Sequence, residues 1–164
     1  MQINKIKFDG HKTEVRYSHD LMNGAVSKEI VYRSSRERHD VFDQLGKDII
    51  DPTLRLLEMD PDYKYQEGSG IPVINFNSIK LSHKDEDELG AVITLERVIQ
   101  GMDAPFLIHT PYVHRKEDNE TMPPDLLDIV DKMIGEAGEF IEGKSNQGDM
   151  FEVAAVNEEN KQTP

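Results

Sequence analysis

The sequence predicts an α+β domain built on an antiparallel sheet of about six strands, with helices packed on one face and a C-terminal tail. Apolar and polar residues alternate over most of the first 32 positions, which is the period of a half-buried strand. Residues 35–59 and 123–141 instead repeat apolar residues every three or four positions, as helices do. The predicted order, β-β-β-α-β-β-β-α, favours one domain over residues 1–143, and residues 144–164 form the tail.

The N-terminal part predicts a three-stranded antiparallel meander. Turn signals at Asp9-Gly10 and Asn23-Gly24 separate its three alternating segments. The inward-facing positions expected from the alternation are Ile6, Phe8, Thr13, Val15, Tyr17, Val26, Ile30 and Tyr32.

The first helical segment predicts a kinked or broken helix over about residues 35–59. Ser34 and Glu37 have the spacing of a capping box. Asp51-Pro52 interrupts the helix, because proline lacks a backbone donor, and the pair also suits the start of a second short helix. The residues predicted to share the buried face of the first part are Val41, Phe42, Leu45 and Ile49.

The second half predicts three more strands and a final helix. The strands cover residues 73–81, with a bulge around Asn75 or Asn77, residues 91–99 and residues 106–109. Residues 114–122 are predicted to be a charged loop. Pro123-Pro124 starts the helix and Gly143 ends it, while Gly135 and Gly138 are expected to permit close packing on the sheet.

Charge and composition restrict the function classes. A net charge of -13 repels phosphate, so we expect no direct nucleic-acid binding by the surface as a whole. The acidity serves either solubility or mimicry of DNA on a basic groove of another protein. The sequence has no cysteine, no long apolar segment and no signal-like N-terminus, so we expect a protein of a reducing cytoplasm without a membrane span.

No motif of a known active site occurs. The histidines show no helical zinc spacing, and neither a nucleophile elbow nor a phosphate loop is present. His109, in an apolar strand, is expected to be structural, and Asp85-Glu86-Asp87-Glu88 to be a solvated hairpin tip rather than a calcium loop. We therefore expect a protein that is not an enzyme, without catalytic residues, cofactor or metal. The six histidines are His11, His19, His39, His83, His109 and His114.

Four stretches together resemble a family of small uncharacterised proteins encoded by bacteriophages and prophages. The stretches are residues 3–8, Gly90-Ala91-Val92-Ile93-Thr94, residues 104–111 and the final helix leading to Gly143-Lys144. Members of that family end in a short tail with a glutamine and a hydrophobic-Phe pair. The resemblance implies a phage or mobile-element origin and supplies no activity.

The tail contains Gln147-Gly148-Asp149-Met150-Phe151, which resembles the peptide that docks bacterial DNA-metabolism proteins on the replicative sliding clamp. Gln147, Asp149, Met150 and Phe151 match it or substitute conservatively, whereas Gly148 replaces the usual leucine. A glutamine with an aliphatic residue at +3 and Phe at +4 arises by chance in about one chain in twenty of this length. The alternative is that the tail forms a last strand or a helix folded onto the core, made of Met150, Phe151, Val153 and Val156.

Two functional hypotheses follow. The first is a non-enzymatic phage accessory protein of DNA replication or recombination, recruited to the host DNA polymerase sliding clamp by its tail. The second is an acidic inhibitor of a host nucleic-acid-binding or antiphage-defence protein. The net charge of -13 is the observation that supports it.

Overall fold

An antiparallel sheet of seven strands organises the computed structural model, which describes residues 1–19, 28–83, 88–116 and 120–143. The strand order is β3-β2-β1-β4-β5-β6, and β7 pairs with β5 on the same side as β6. The strands are β1 (Gln2–Asp9), β2 (Lys12–His19), β3 (Lys28–Ser34), β4 (Ile74–Ser82), β5 (Leu89–Arg97), β6 (Phe106–His109) and β7 (Val113–Arg115).

The N-terminal meander is confirmed. β1 pairs with β2 and β2 with β3, and the apolar side of each strand faces the core as the alternation predicts, with Ile30 of β3 only partly buried. The Asn23-Gly24 turn and Val26 lie outside the described residues. β1 also pairs with β4, which joins the meander to the second half of the chain.

The broken first helix is confirmed, but its start is not where the capping box predicts. Two helices, α1 (Asp40–Asp48) and α2 (Ile50–Leu56), meet at Ile49. The ladder breaks there because Pro52 has no N–H to donate to the carbonyl of Asp48. Ser34 instead ends β3, where its hydroxyl accepts the N–H of Arg36 at 2.9 Å.

The helical face of α1 is confirmed at three of its four predicted positions. Phe42, Leu45 and Ile49 are buried. The prediction is wrong for Val41, which is 55% exposed. It lies on the side of the helix that faces away from the core, next to the first helical residue Asp40.

The second half follows the prediction with local shifts. β4 has its bulge between Phe76 and Ser78, as expected around Asn77. β5 begins at Leu89 and ends at Arg97, two residues earlier than predicted, so Val98 and Ile99 are exposed. The prediction of a charged loop at 114–122 is wrong in part, since its first residues belong to β7. Hydrogen bonding to β5 stabilises this strand, which is too short to show an alternation of apolar and polar residues. A single 3₁₀ turn, Pro61–Lys64, interrupts the predicted loop before β4.

The final helix, α3 (Pro124–Ile141), is confirmed, and Gly143 ends it with a positive φ of 102°. Gly138 lies near the methyl group of Met1, 3.5 Å from where a Cβ would stand. Gly135 faces open space, so the prediction of close packing is wrong for this glycine.

All three helices pack on one face of the sheet. Phe8 of β1 packs edge-on against Phe42 of α1 and Phe76 of β4, with ring centroids 5.0 Å apart in both pairs. Tyr32 of β3 meets Phe140 of α3 in the same way. Residues 5, 7, 14 and 16 alternate with these buried positions and therefore face the opposite side of the sheet, here called the open face. In the part of the chain that the structure describes, no helix is long and apolar enough to cross a membrane.

Candidate functional site

The predicted docking residues Gln147, Asp149, Met150 and Phe151 lie outside the described residues, as does most of the acidic run at 85–88. The last residue of the described core is Phe140, which is fully buried against Tyr32 and Phe42. The core already contains residues of β1 to β5, β7 and all three helices.

His109 is exposed on β6, the outer strand of the sheet. Its Nδ1 lies 2.9 Å from the Thr94 hydroxyl on the neighbouring strand, in a cross-strand pair. This arrangement fits the predicted structural role, although the side chain is on the surface and not in the core.

A histidine–carboxylate cluster that the sequence did not indicate joins α1 to α3. His39, buried just before α1, has its Nε2 at 2.5 Å from a carboxylate oxygen of Glu136. Glu139, one turn further along α3, brings a second carboxylate within 4.8 Å. Arg36 donates to the carbonyl of Phe140 and stacks on its ring, with its Cζ 4.4 Å from the centroid.

The geometry of this cluster favours a structural pair over a metal site. Ligands of a tetrahedral metal stand about 2.0–2.1 Å from the ion, and therefore roughly 3.4 Å from one another. His39 and Glu136 are closer than that, at 2.5 Å, so the two side chains touch each other directly and leave no room for an ion between them. The guanidinium of Arg36 also places a fixed positive charge beside this turn of α3. The cluster therefore ties α1 to α3.

A cleft of about 560 Å³ lies between α1 and the start of β4 and has an apolar floor that includes Phe8 and Phe76. The charged side chains around this cleft form ion pairs with one another. Arg38 binds Asp43 and stacks on the Phe8 ring, with its Cζ 3.9 Å from the centroid. Lys64 donates to Asp51, and this hydrogen bond raises the pKa of the lysine. These contacts fix the walls of the cleft.

The open face is basic although the protein is strongly acidic. The pairing places Arg16, Lys5 and Lys80 side by side on β2, β1 and β4. Two residues along, Arg33, Glu14 and Lys7 form a second row on β3, β2 and β1. Five cations and one carboxylate thus lie on four adjacent strands.

The pKa values of Lys5 and Glu14 are shifted by the excess of positive charge on this surface. Partial burial and the neighbouring Arg16 lower the pKa of Lys5, with further contributions from Lys7 and Lys80. Glu14 partly offsets them: although burial opposes its ionisation, the hydrogen bond from Arg33 and the charge of Arg16 hold its pKa below the ordinary value. The Arg33 Nε–Glu14 distance is 2.8 Å. In the described residues no carboxylate lies within ion-pair distance of Lys7 or Lys80.

An aromatic pair lies at the β7 end of the open face. The ring of Tyr112 occupies the space above Gly90, where a Cβ would be 2.0 Å from the tyrosine hydroxyl. Tyr112 stacks on His114, with ring centroids 5.8 Å apart and planes inclined by 20°, and 38% of it is exposed. Gly90 is two residues along β5 from Val92, the partner of Lys80, so the rings border the basic rows.

The helical layer has the opposite charge. Its three helices contain nine carboxylates and three basic residues. Many of the carboxylates on α3 face cations: Asp125 lies 3.1 Å from Arg55, and Asp128 2.8 Å from Lys132. Such pairs interrupt an anionic stripe along α3.

Apolar side chains are also exposed where β5 turns into β6. They surround the turn and continue into the outer strand. The exposed residues are Val98, Ile99, Met102, Phe106 and Leu107.

No protein-family model, curated protein sequence or solved structure matches this chain. The function is therefore argued from the motif in the tail and from the surfaces just described.

Proposed function

We propose that this chain is a non-enzymatic accessory protein of DNA replication or recombination, of phage origin, that docks on the host DNA polymerase sliding clamp through its tail. The observation that carries the proposal is the sequence Gln147-Gly148-Asp149-Met150-Phe151 after the last helix. Two large apolar side chains presented by a short peptide suit a preformed apolar pocket, and the amide of Gln147 suits hydrogen bonds at its edge.

The folded domain supports this role. Its described core is packed up to Phe140, and Gly143 ends α3 ahead of the tail. Clamp docking requires that residues 144–164 are not needed to complete the core, and truncation after Gly143 tests this requirement. Methionine adapts to pockets of different shape, which fits the substitution at position 150.

The test is binding of the full-length protein to immobilised purified clamp. The double substitution Met150→Ala/Phe151→Ala is expected to weaken binding by at least about tenfold, since interface energy is concentrated in such anchors. The matched control, Val153→Ala/Val156→Ala, removes two apolar side chains outside the motif and should bind as the wild type does. Equal retention of the first variant, or no retention of the wild type, would refute clamp docking.

A second candidate is an acidic inhibitor of a host nucleic-acid-binding or defence protein. The excess of carboxylates in the helical layer favours it, whereas the ion pairs on α3 count against a continuous DNA-like surface. If this candidate holds, the domain without residues 144–164 should displace duplex DNA from its target, and reversing charges at Asp40 and Asp48 should abolish the displacement.

A further inference from the structure

We propose that the open face of the sheet binds a single-stranded nucleic acid, with Lys5, Lys7, Arg16, Arg33 and Lys80 contacting phosphates and Tyr112 stacking on a base. This binding is separate from clamp docking and uses a different part of the chain. It also means that the expected lack of nucleic-acid binding, argued from net charge, applies to the surface as a whole and not to this face.

The spacing of the cations suits a chain of phosphates. Neighbouring strands are ~4.8 Å apart, and residues two apart on one strand are about 6.7 Å apart. Arg16, Lys5 and Lys80 follow the first spacing, and Lys5 and Lys7 follow the second. A flexible backbone crossing β2, β1 and β4 therefore meets a cation at each step.

Lys5, Lys7 and Lys80 give this face positive charge that the described carboxylates neutralise only in part, since Lys5 shares Glu14 with Arg16 and Arg33. Lys7 and Lys80 have no carboxylate within ion-pair distance among the described residues. Lys5 is crowded by other cations, so an approaching phosphate would relieve their mutual repulsion. Binding of this kind releases counterions and weakens as salt rises.

Tyr112 and Gly90 favour nucleic acid over an acidic protein. Bases of every type stack on exposed aromatic rings, and cationic surfaces bordered by such rings are typical of single-strand binding. The missing side chain at Gly90 is what lets the Tyr112 ring lie on the sheet. A protein partner would be expected to need apolar anchors at the centre of the face. That centre holds Arg16, Lys5 and Lys80, whereas the half-buried Val31 and Val92 stand at the two ends of their row, on β3 and β5.

The acidic periphery favours a single strand over a duplex. Duplex DNA is stiff on the scale of this domain. Laid on the open face, it would extend over carboxylates at the margins, such as Asp9 and Glu29, both exposed. A flexible single strand can follow the cations and bend away from the acidic margins.

The test is fluorescence anisotropy of labelled oligo-dT and oligo-rU of about 20 nucleotides, titrated with full-length protein at several salt concentrations. We expect binding at low salt that weakens with a slope of about -2 to -3.5 in log K against log salt, as for three to five phosphates. Lys7→Glu/Lys80→Glu should weaken binding at least tenfold and reduce the slope by about 1.4. Tyr112→Leu should weaken binding about fivefold or more, and Tyr112→Phe should bind nearly as the wild type does.

The matched control is Lys47→Glu/Lys132→Glu, which makes the same change of charge on exposed positions of the helical layer. It should retain at least half of the wild-type affinity. Equal weakening by both double substitutions, or no binding of either oligonucleotide by the wild type, overturns the inference. Met150→Ala/Phe151→Ala should bind oligo-dT normally, and Lys7→Glu/Lys80→Glu should bind the clamp normally, so the two proposals fail separately.

Discussion

Glu14 is the residue on which the charges of the open face converge. Arg33 donates to one of its oxygens at 2.8 Å, and Arg16 and Lys5 lie at 3.4 and 3.8 Å from the other. Their combined field keeps the carboxylate ionised despite its partial burial. As the one anion within the two basic rows, Glu14 lowers the repulsion between their cations in the free protein and leaves the rows with a net positive charge.

Replacing Glu14 with Gln should change the stability of the protein and its binding of oligo-dT in opposite directions. Since the folded-state pKa of Glu14 lies below its ordinary value of 4.5, its stabilising effect is fully present above that pH and is lost as the pH falls through the folded value. Glu14→Gln should therefore lower the free energy of unfolding by about 0.5–1 kcal/mol at pH 7 and by less at pH 3, as measured by urea denaturation.

The same substitution should tighten binding of oligo-dT, because it removes the only carboxylate from the two basic rows. Glu29→Gln is the control, as this exposed glutamate on β3 has no ion pair among the described contacts. An equal loss of stability for Glu14→Gln at both pH values, or unchanged binding, would contradict this account of Glu14.

At the scale of elements, hydrophobic periodicity was sufficient to predict a strand or helix where the segment is long and buries one face. The meander, the bulge at Asn77 and α3 were all predictable, because burial of one face fixes their register. The capping box at Ser34 failed because pairing with Thr13 keeps Ser34 in β3. β7 was not predictable from three residues, since its stability comes from hydrogen bonds to β5.

The candidate surfaces were predictable to a lesser degree. Lysines and arginines on one side of β1 and β2 are visible in the sequence as alternation. Their alignment with Lys80, and the position of Tyr112 over Gly90, depend on which strands pair, and the sequence does not state this. His39 and Glu136 meet only because α1 and α3 lie side by side on the sheet.

Two helical glycines give a matched test of packing. Gly135 is exposed in the middle of α3, and a Cβ there would meet no atom within 4 Å. Gly135→Ala should raise the free energy of unfolding by about 0.5–1 kcal/mol through helix propensity alone. Gly46 in α1 instead faces Phe8, whose Cε2 would be 2.8 Å from a Cβ.

Gly46→Ala should be destabilising by about 1–2 kcal/mol, because overpacking exceeds the gain in helix propensity. The Phe8 ring has little room to move, since Phe42, Phe76 and Arg38 surround it. Urea denaturation measures both variants. Changes of the same sign would show that helix propensity, and not packing against the sheet, determines the outcome.

At the scale of the whole molecule, charge is divided between two faces. The three helices carry nine carboxylates against three basic residues, while the open face carries the two basic rows. The net charge of -13 therefore does not describe each face, since the negative and positive charges lie on different sides of the molecule. Polyanions should approach from the open face and be repelled elsewhere, which would set the orientation of a nucleic acid relative to a clamp bound through the tail.

Truncation after Gly143 tests whether the domain and the tail are independent. Removing residues 144–164 should change the Tm by less than about 2 °C, because the described core ends at Phe140. Oligo-dT binding should persist and clamp binding should be lost. Phe140→Ala is the contrasting variant: it removes a fully buried ring packed on Tyr32 and Phe42 and should cost about 3–5 kcal/mol. A large fall in Tm on truncation would show that Phe151 and Val153 belong to a terminal element folded onto the core, and clamp docking through a free tail would then be wrong.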